Sequence, residues 1–199
     1  MVQAGRAIGA IGVIGAGKLG RGIALAAAVG GYRTILEDLL PNALRRAASE
    51  FRTNLDQVIK AGELSASAAD AALARLEFAG SVEEAARQAD LVIEAGPEES
   101  ESKIEIFTLL DKICRPGTIL VSNLDRQSVD ALSISEIARV TYRARNCVGM
   151  RFAEDGNGKR LEIIRGSETD DQTVATAMEV GTRMGKEVFV IKDAASALQ

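Results

Sequence analysis

A chain of 199 residues, 47% hydrophobic and 26% charged, can bury a core of its own as one ordinary globular domain. A net charge of -4 and a pI near 5.1 argue against nucleic acid as the main partner, because phosphate backbones are met by basic surfaces. No apolar run reaches membrane-span length and no leader-like segment is expected, so the composition points to a soluble protein with no membrane role. Cys114 and Cys147 have neither metal-ligand nor redox spacing, which predicts reduced thiols, no metal and a cytoplasmic setting. Histidine is absent from the whole chain.

The first element, Ala10-Ile11-Gly12-Val13-Ile14, reads as a buried strand running directly into Gly15-Ala16-Gly17-Lys18-Leu19-Gly20. A G-x-G-x-x-G string alone is weak, but here it sits between a strand and an alanine-rich helix, Lys18 to Val29, that ends at Gly30-Gly31. A second strand, Tyr32 to Leu36, is followed by Asp38, the acidic residue that a dinucleotide-binding unit places at this distance. In such a motif Gly15 permits the tight turn and Gly17 lets the backbone approach a pyrophosphate. Gly20 lets helix and strand close on each other, and the helix N-terminus holds the phosphates.

Further along, Pro41 suits a first helical position, and Leu44, Ala47, Ala48, Phe51, Leu55, Val58 and Ile59 mark one apolar face up to Gly62. With a second helix from about Ser65 to Arg75 this predicts a helical hairpin, residues 41–75, inserted between strands. Leu76 to Phe78 reads as a short strand, and Ser81 with Glu84 as a capping box opening a helix to Gln88. Leu91 to Ala95 is a buried strand ending at Gly96-Pro97; a helix Ser100 to Ile113 and a strand Thr118 to Ser122 follow. Val148 to Phe152, Leu161 to Ile164 and Val188 to Ile191 are the last predicted strands, with a helix from about Asp170 to Met184. Alternating strands and helices give an α/β, Rossmann-type, doubly wound and mostly parallel sheet, as a single dinucleotide-binding domain over residues 1–199.

Several of these segments together resemble a known family. Gly12-Val13-Ile14-Gly15-Ala16-Gly17, Ile93-Glu94-Ala95-Gly96-Pro97-Glu98 through Lys103, Ser122-Asn123, and Leu161-Glu162-Ile163-Ile164-Arg165-Gly166 look like the NAD-binding, N-terminal domain of the L-3-hydroxyacyl-CoA dehydrogenases. The resemblance runs in order to Gly185-Lys186 and Ile191-Lys192-Asp193, and it includes the inserted hairpin. It implies NAD as cofactor, together with half of an acyl-CoA site for oxidising a 3-hydroxyacyl-CoA in fatty-acid metabolism. The family continues past this point into an all-helical domain; the expectation here is the NAD-binding domain without it.

Carried over by position, the cofactor-binding set is Gly15, Gly17, Lys18, Leu19, Gly20, Asp38, Ala95, Glu98, Lys103 and Asn123. Asp38 matches the acid on the adenosine ribose, and its charge would repel a 2′-phosphate, favouring NAD over NADP. Arg45 and Arg46 could offset that, or be solvated charges on an exposed helix face. Glu98 and Lys103 match positions near the nicotinamide ribose; the alternatives are a helix-start carboxylate and a surface lysine. Asn123 matches the asparagine beside the nicotinamide and the substrate oxygen, or is a turn-forming residue.

On the catalytic side the matching segment is Gly149-Met150-Arg151-Phe152-Ala153-Glu154-Asp155. Arg151 stands where the family has its catalytic histidine, and a guanidinium stays protonated at ordinary pH. Glu162 matches the glutamate that orients that histidine, so an Arg151–Glu162 ion pair facing the nicotinamide end is expected. The stretch after Asn123 departs from the family, with Asp125-Arg126 adding charge and Ser128 as a substitute for the substrate serine or a solvated loop residue. These changes favour a catalytically impaired NAD(H)-binding module. The other reading is an active 3-hydroxyacyl-CoA oxidoreductase using Glu154, Asp155 or Lys103 as base, or a partner domain. An acyl-CoA or another anionic small molecule is the expected partner, and a homo-oligomer stays open.

Overall fold

In the computed structural model, which describes residues 4–97, 99–124, 132–152 and 158–193, strands and helices alternate as the sequence predicts. The strands are β1 (Ala10–Ile14), β2 (Arg33–Glu37), β3 (Leu76–Ala79), β4 (Leu91–Glu94), β5 (Ile119–Asn123), β6 (Cys147–Phe152), β7 (Arg160–Arg165) and β8 (Glu187–Lys192). The helices are α1 (Lys18–Val29), α2 (Pro41–Lys60), α3 (Ala66–Leu73), α4 (Val82–Ala86), α5 (Ser100–Ile113), α6 (Ile134–Ala138) and α7 (Asp171–Arg183). All eight strands join one sheet in the order β3-β2-β1-β4-β5-β6-β7-β8. Neighbours are parallel except β6 and β7, so β7 and β8 run against the other six. The strand order reverses at β1, which lies between β2 and β4 with its carboxyl end beside both; in open α/β sheets ligands bind at such a point.

Burial on both faces explains the continuous apolar strands. Ile11, Val13, Ile93, Val121 and Val148 pack toward α1, α2 and α7, while Ile35, Val92 and Leu120 pack toward α4, α5 and α6. The alanine composition of α1 has a packing reason: Ala24, Ala27 and Ala28 are fully buried, so the helix axis can lie close to the sheet. In the inserted hairpin, Ala47, Phe51 and Leu55 of α2 supply the buried stripe, and Phe51 stacks on Phe78 of β3 at 6.2 Å between ring centroids. Arg45 and Arg46 lie exposed on the opposite side of α2.

The sequence misplaces several boundaries. β2 begins and ends one residue later than predicted, which brings Glu37 into the strand, and β5 likewise extends to Asn123. Helix α4 stops at Ala86 rather than Gln88, with Ser81 Oγ accepting from Glu84 N at 3.3 Å. The reciprocal capping box belongs to α6, an element the sequence reading did not contain. There Ser133 Oγ accepts from Glu136 N, and the Glu136 carboxylate accepts from Ser133 N at 2.9 Å. No helix among the described residues is long and apolar enough to cross a membrane, and none of their acidic, cysteine or histidine side chains group as a metal site.

Candidate cofactor site

The three glycines after β1 differ in what a side chain would meet. Gly15 has φ +102°, a left-handed conformation, and its N–H donates to Glu37 O at 2.9 Å, tying the turn to the end of β2. A Cβ on Gly20 would fall 1.9 Å from Gly15 O, so only glycine lets α1 start this close to the turn. A Cβ on Gly17 would have nothing within 4 Å. Gly17 is the N-cap of α1, and no side chain among the described residues caps this helix. Lys18 and Leu19 form its exposed first turn. The protein therefore leaves open space in front of uncapped N–H groups at the positive end of a helix dipole, which fits a pyrophosphate. Arg21, which the sequence reading passed over, braces the turn: its Nη1 donates to Ala16 O and its Nε to Glu50 of α2, each at 2.7 Å.

Asp38 is held by two backbone amides. Its Oδ2 accepts from Ala16 N and its Oδ1 from Leu40 N, each at 2.9 Å, so the carboxylate is fixed beside the glycine turn with lone pairs to spare for ribose hydroxyls. Beside it, Glu37 is 2% exposed, and its Oε1 has no hydrogen-bond partner among the described residues. Burial, with the neighbouring Asp38 charge adding to it, pushes the Glu37 carboxyl up to about 7, although the Gly15 amide pulls the other way. Strand alternation sends Glu37 to the α4 side of the sheet, in the same cross-strand row as Ile14 of β1, Glu94 of β4 and Ser122 of β5.

Across the switch point, Ala95 N donates to Ile14 O at 2.9 Å and closes the loop after β4 against β1. Glu94 points down to α5, where Lys103 meets it. Lys103 is 1% exposed, with its Nζ 2.8 Å from Glu94 Oε2, 2.8 Å from Asn123 O and 3.4 Å from Ser122 Oγ; Ser122 Oγ in turn donates to Glu94 Oε2 at 3.0 Å. The surface-lysine alternative is thereby excluded: Lys103 is a core ammonium that joins the carboxyl ends of β4 and β5. Asn123, the last residue of β5, is buried, and its backbone carbonyl is part of this cluster. The turn-forming alternative does not hold for a residue inside the strand ladder, paired with Met150.

At the far end of the same edge, Arg151 of β6 lies opposite Glu162 of β7. Arg151 Nη1 donates to Glu162 Oε2 at 2.6 Å and its Nε to Leu124 O at 3.0 Å. The other oxygen of Glu162 accepts from Arg160 at 2.9 Å, and the Arg160 guanidinium lies 4.7 Å from the Phe189 ring centroid. Two guanidinium groups thus share one nearly buried carboxylate, which bridges them through its two oxygens; the sequence suggested one half of this arrangement. Both thiols are buried, and burial raises each to about 11, so Cys114 and Cys147 are inert as nucleophiles. Glu98, Asp125, Arg126, Ser128, Glu154 and Asp155 lie outside the described residues.

A glycine turn at a topological switch point, an acid at the end of β2 and an uncapped α1 define a dinucleotide-binding α/β domain. A family model, "3-hydroxyacyl-CoA dehydrogenase, NAD binding domain", matches residues 10–194, and the chain belongs to that family, with NAD as its cofactor. Over 182 residues, 91% of the chain, it is 35% identical to the "Probable 3-hydroxybutyryl-CoA dehydrogenase" of Bacillus subtilis (strain 168), of which the match covers 61%. It is 36% identical over 182 residues to the "Peroxisomal bifunctional enzyme" of Danio rerio, covering 91% of the chain and 24% of that protein. The crystal structure of (S)-3-hydroxybutyryl-CoA dehydrogenase from Ralstonia eutropha superposes with a TM-score of 0.85 at 31% identity, over 94% of this chain and 65% of that one. The chain thus spans about three fifths of the length of these two 3-hydroxybutyryl-CoA dehydrogenases.

Proposed function

We propose that this domain captures NAD(H) and, at the position where its relatives' reaction needs a proton acceptor, carries a structural ion pair instead. When bound, the cofactor supplies a hydride acceptor or donor; the chain's residues then have to orient it and move the substrate's hydroxyl proton. Gly15, Gly17 and the first turn of α1 serve the phosphates, Asp38 the adenosine ribose, and Asn123 the nicotinamide end. The single observation that carries the reading is Arg151: its guanidinium is engaged by Glu162 and Leu124 O and has no lone pair to take a proton. A site with that cation favours a compact anionic molecule, such as a carboxylate, over an apolar acyl chain. Two buried, unoxidised cysteines are in keeping with a cytoplasmic domain.

The test is NADH binding by calorimetry, run beside the absorbance of NADH with a short-chain 3-oxoacyl-CoA. Binding without turnover is the expected result, and Arg151→His restores a trace of activity at most. Steady turnover by the unaltered chain would refute the impairment and favour a base supplied from another segment or partner domain.

A further inference from the structure

The acid that the sequence singles out, Asp38, has a backbone amide on each of its oxygens; the acid beside it does not. Glu37 is 2% exposed, one of its oxygens lacks a hydrogen-bond partner among the described residues, and its own carbonyl holds Gly15 N of the phosphate-binding turn. A buried carboxylate oxygen without a donor is unfavourable, and the protonated form removes that penalty. Among the described residues, the elements around it supply no compensating cation. On its own strand the neighbouring charge is Asp38. From β1 it faces Ile14, and from β3 Ala79; the charge of Glu77, lower on β3, is met by Arg33. On α4, Ala85 and Ala86 are the buried contacts, while Glu83, Glu84 and Arg87 are exposed, with Glu83 and Arg87 paired to each other. Farther along the row, beyond Ile14, the Glu94 charge is met by Lys103.

Resting on the NAD reading, we infer that Glu37 is a proton site linked to cofactor capture: the dinucleotide binds the domain with Glu37 protonated, and binding to the ionised form draws one proton from solution. The reason is electrostatic. A pyrophosphate at the α1 N-terminus brings negative charge to the turn whose Gly15 amide is fixed to Glu37, where the Asp38 carboxyl group is also held. A further negative charge buried beside them opposes binding, and taking up a proton removes it. Because the free carboxyl sits near 7, the linkage falls in the neutral range, and NADH affinity drops by up to tenfold per pH unit above it.

Calorimetric titration of NADH, slightly above neutral pH and in buffers of different ionisation enthalpy, reads the protons taken up. The unaltered protein is expected to take up a substantial fraction of one proton per NADH. Glu37→Gln should bind NADH with no uptake and with an affinity flat in pH. A pH series of NADH affinity on the unaltered protein alone tests the same point if that variant fails to fold. NADH binding with no buffer dependence, or with uptake unchanged in Glu37→Gln, overturns this inference alone; no NADH binding at any pH overturns the cofactor reading as well.

Discussion

Gly17 and Gly20 separate ligand binding from folding within one turn of chain. Gly17 has φ -62° and ψ 178°, extended backbone open to any residue, and a Cβ there meets nothing within 4 Å. Gly17→Val should therefore fold normally, losing at most about 1 kcal/mol through the poorer N-cap, roughly 2–4 °C for a domain of this size. Its isopropyl group fills the space in front of the α1 amides, and NADH affinity should fall at least tenfold, about 1.4 kcal/mol. Gly20→Ala reverses the pattern. Its methyl would sit 1.9 Å from Gly15 O, a backbone atom, so helix and turn must part by more than an ångström. Overpacking of that kind costs about 1–3 kcal/mol. Thermal melts of the three proteins and calorimetric NADH titration of the unaltered chain and Gly17→Val decide the matter. If Gly17→Val melts normally and binds NADH as before, the phosphate is not where the turn places it.

Lys103→Met leaves Glu94 buried with its cation gone and should cost about 3–5 kcal/mol in urea denaturation, part of it recovered by adding Glu94→Gln; a loss below about 1 kcal/mol would mean that the pair is solvated. NADH should bind more tightly than NADPH, with Asp38→Ala narrowing the gap; equal binding by the unaltered chain would remove Asp38 from the ribose. For stability against pH, the Glu37 carboxyl holds its proton up to about 7 when folded against an ordinary value of 4.5, so the unfolded chain ionises first. Stability should fall as pH rises across that window, by up to about 3 kcal/mol, and Glu37→Gln should remove that part of the slope in urea melts at about pH 5 and about pH 7.5.

What the sequence discloses depends on whether a residue's role is local. The strand–turn–helix at Ile14 to Gly20 was legible because each glycine answers a backbone need within a few residues. The Arg151–Glu162 pair was legible by its place in motifs, but the second cation, Arg160, emerges only from side-chain geometry on β7. Glu37 was missed because acids flanking a strand are read as solvated ends; its burial comes from β3 and α4, contributed by segments far along the chain. Lys103 lies on a helix whose spacing allows a solvent-facing lysine, and only the cross-strand register of β4 and β5 sets two acceptors beneath it. Helix α6 was too short for periodicity to register, although its Ser133-x-x-Glu136 box was in plain view.

The position of β1 has a kinetic consequence. The strand bearing the glycine turn pairs early in sequence with β2, but its other edge closes only when Ile11 meets Leu91 on β4, after the hairpin, β3 and α4 have been laid down. Such non-local pairing closes a longer loop than the β1–β2 pairing does and is expected late on the folding path. The nucleotide site, bounded by Gly15 on one side and Ala95 on the other, does not exist before that step. A nucleotide present during refolding then leaves the folding rate unchanged and acts on the reverse process, slowing unfolding and lengthening the lifetime of the assembled sheet.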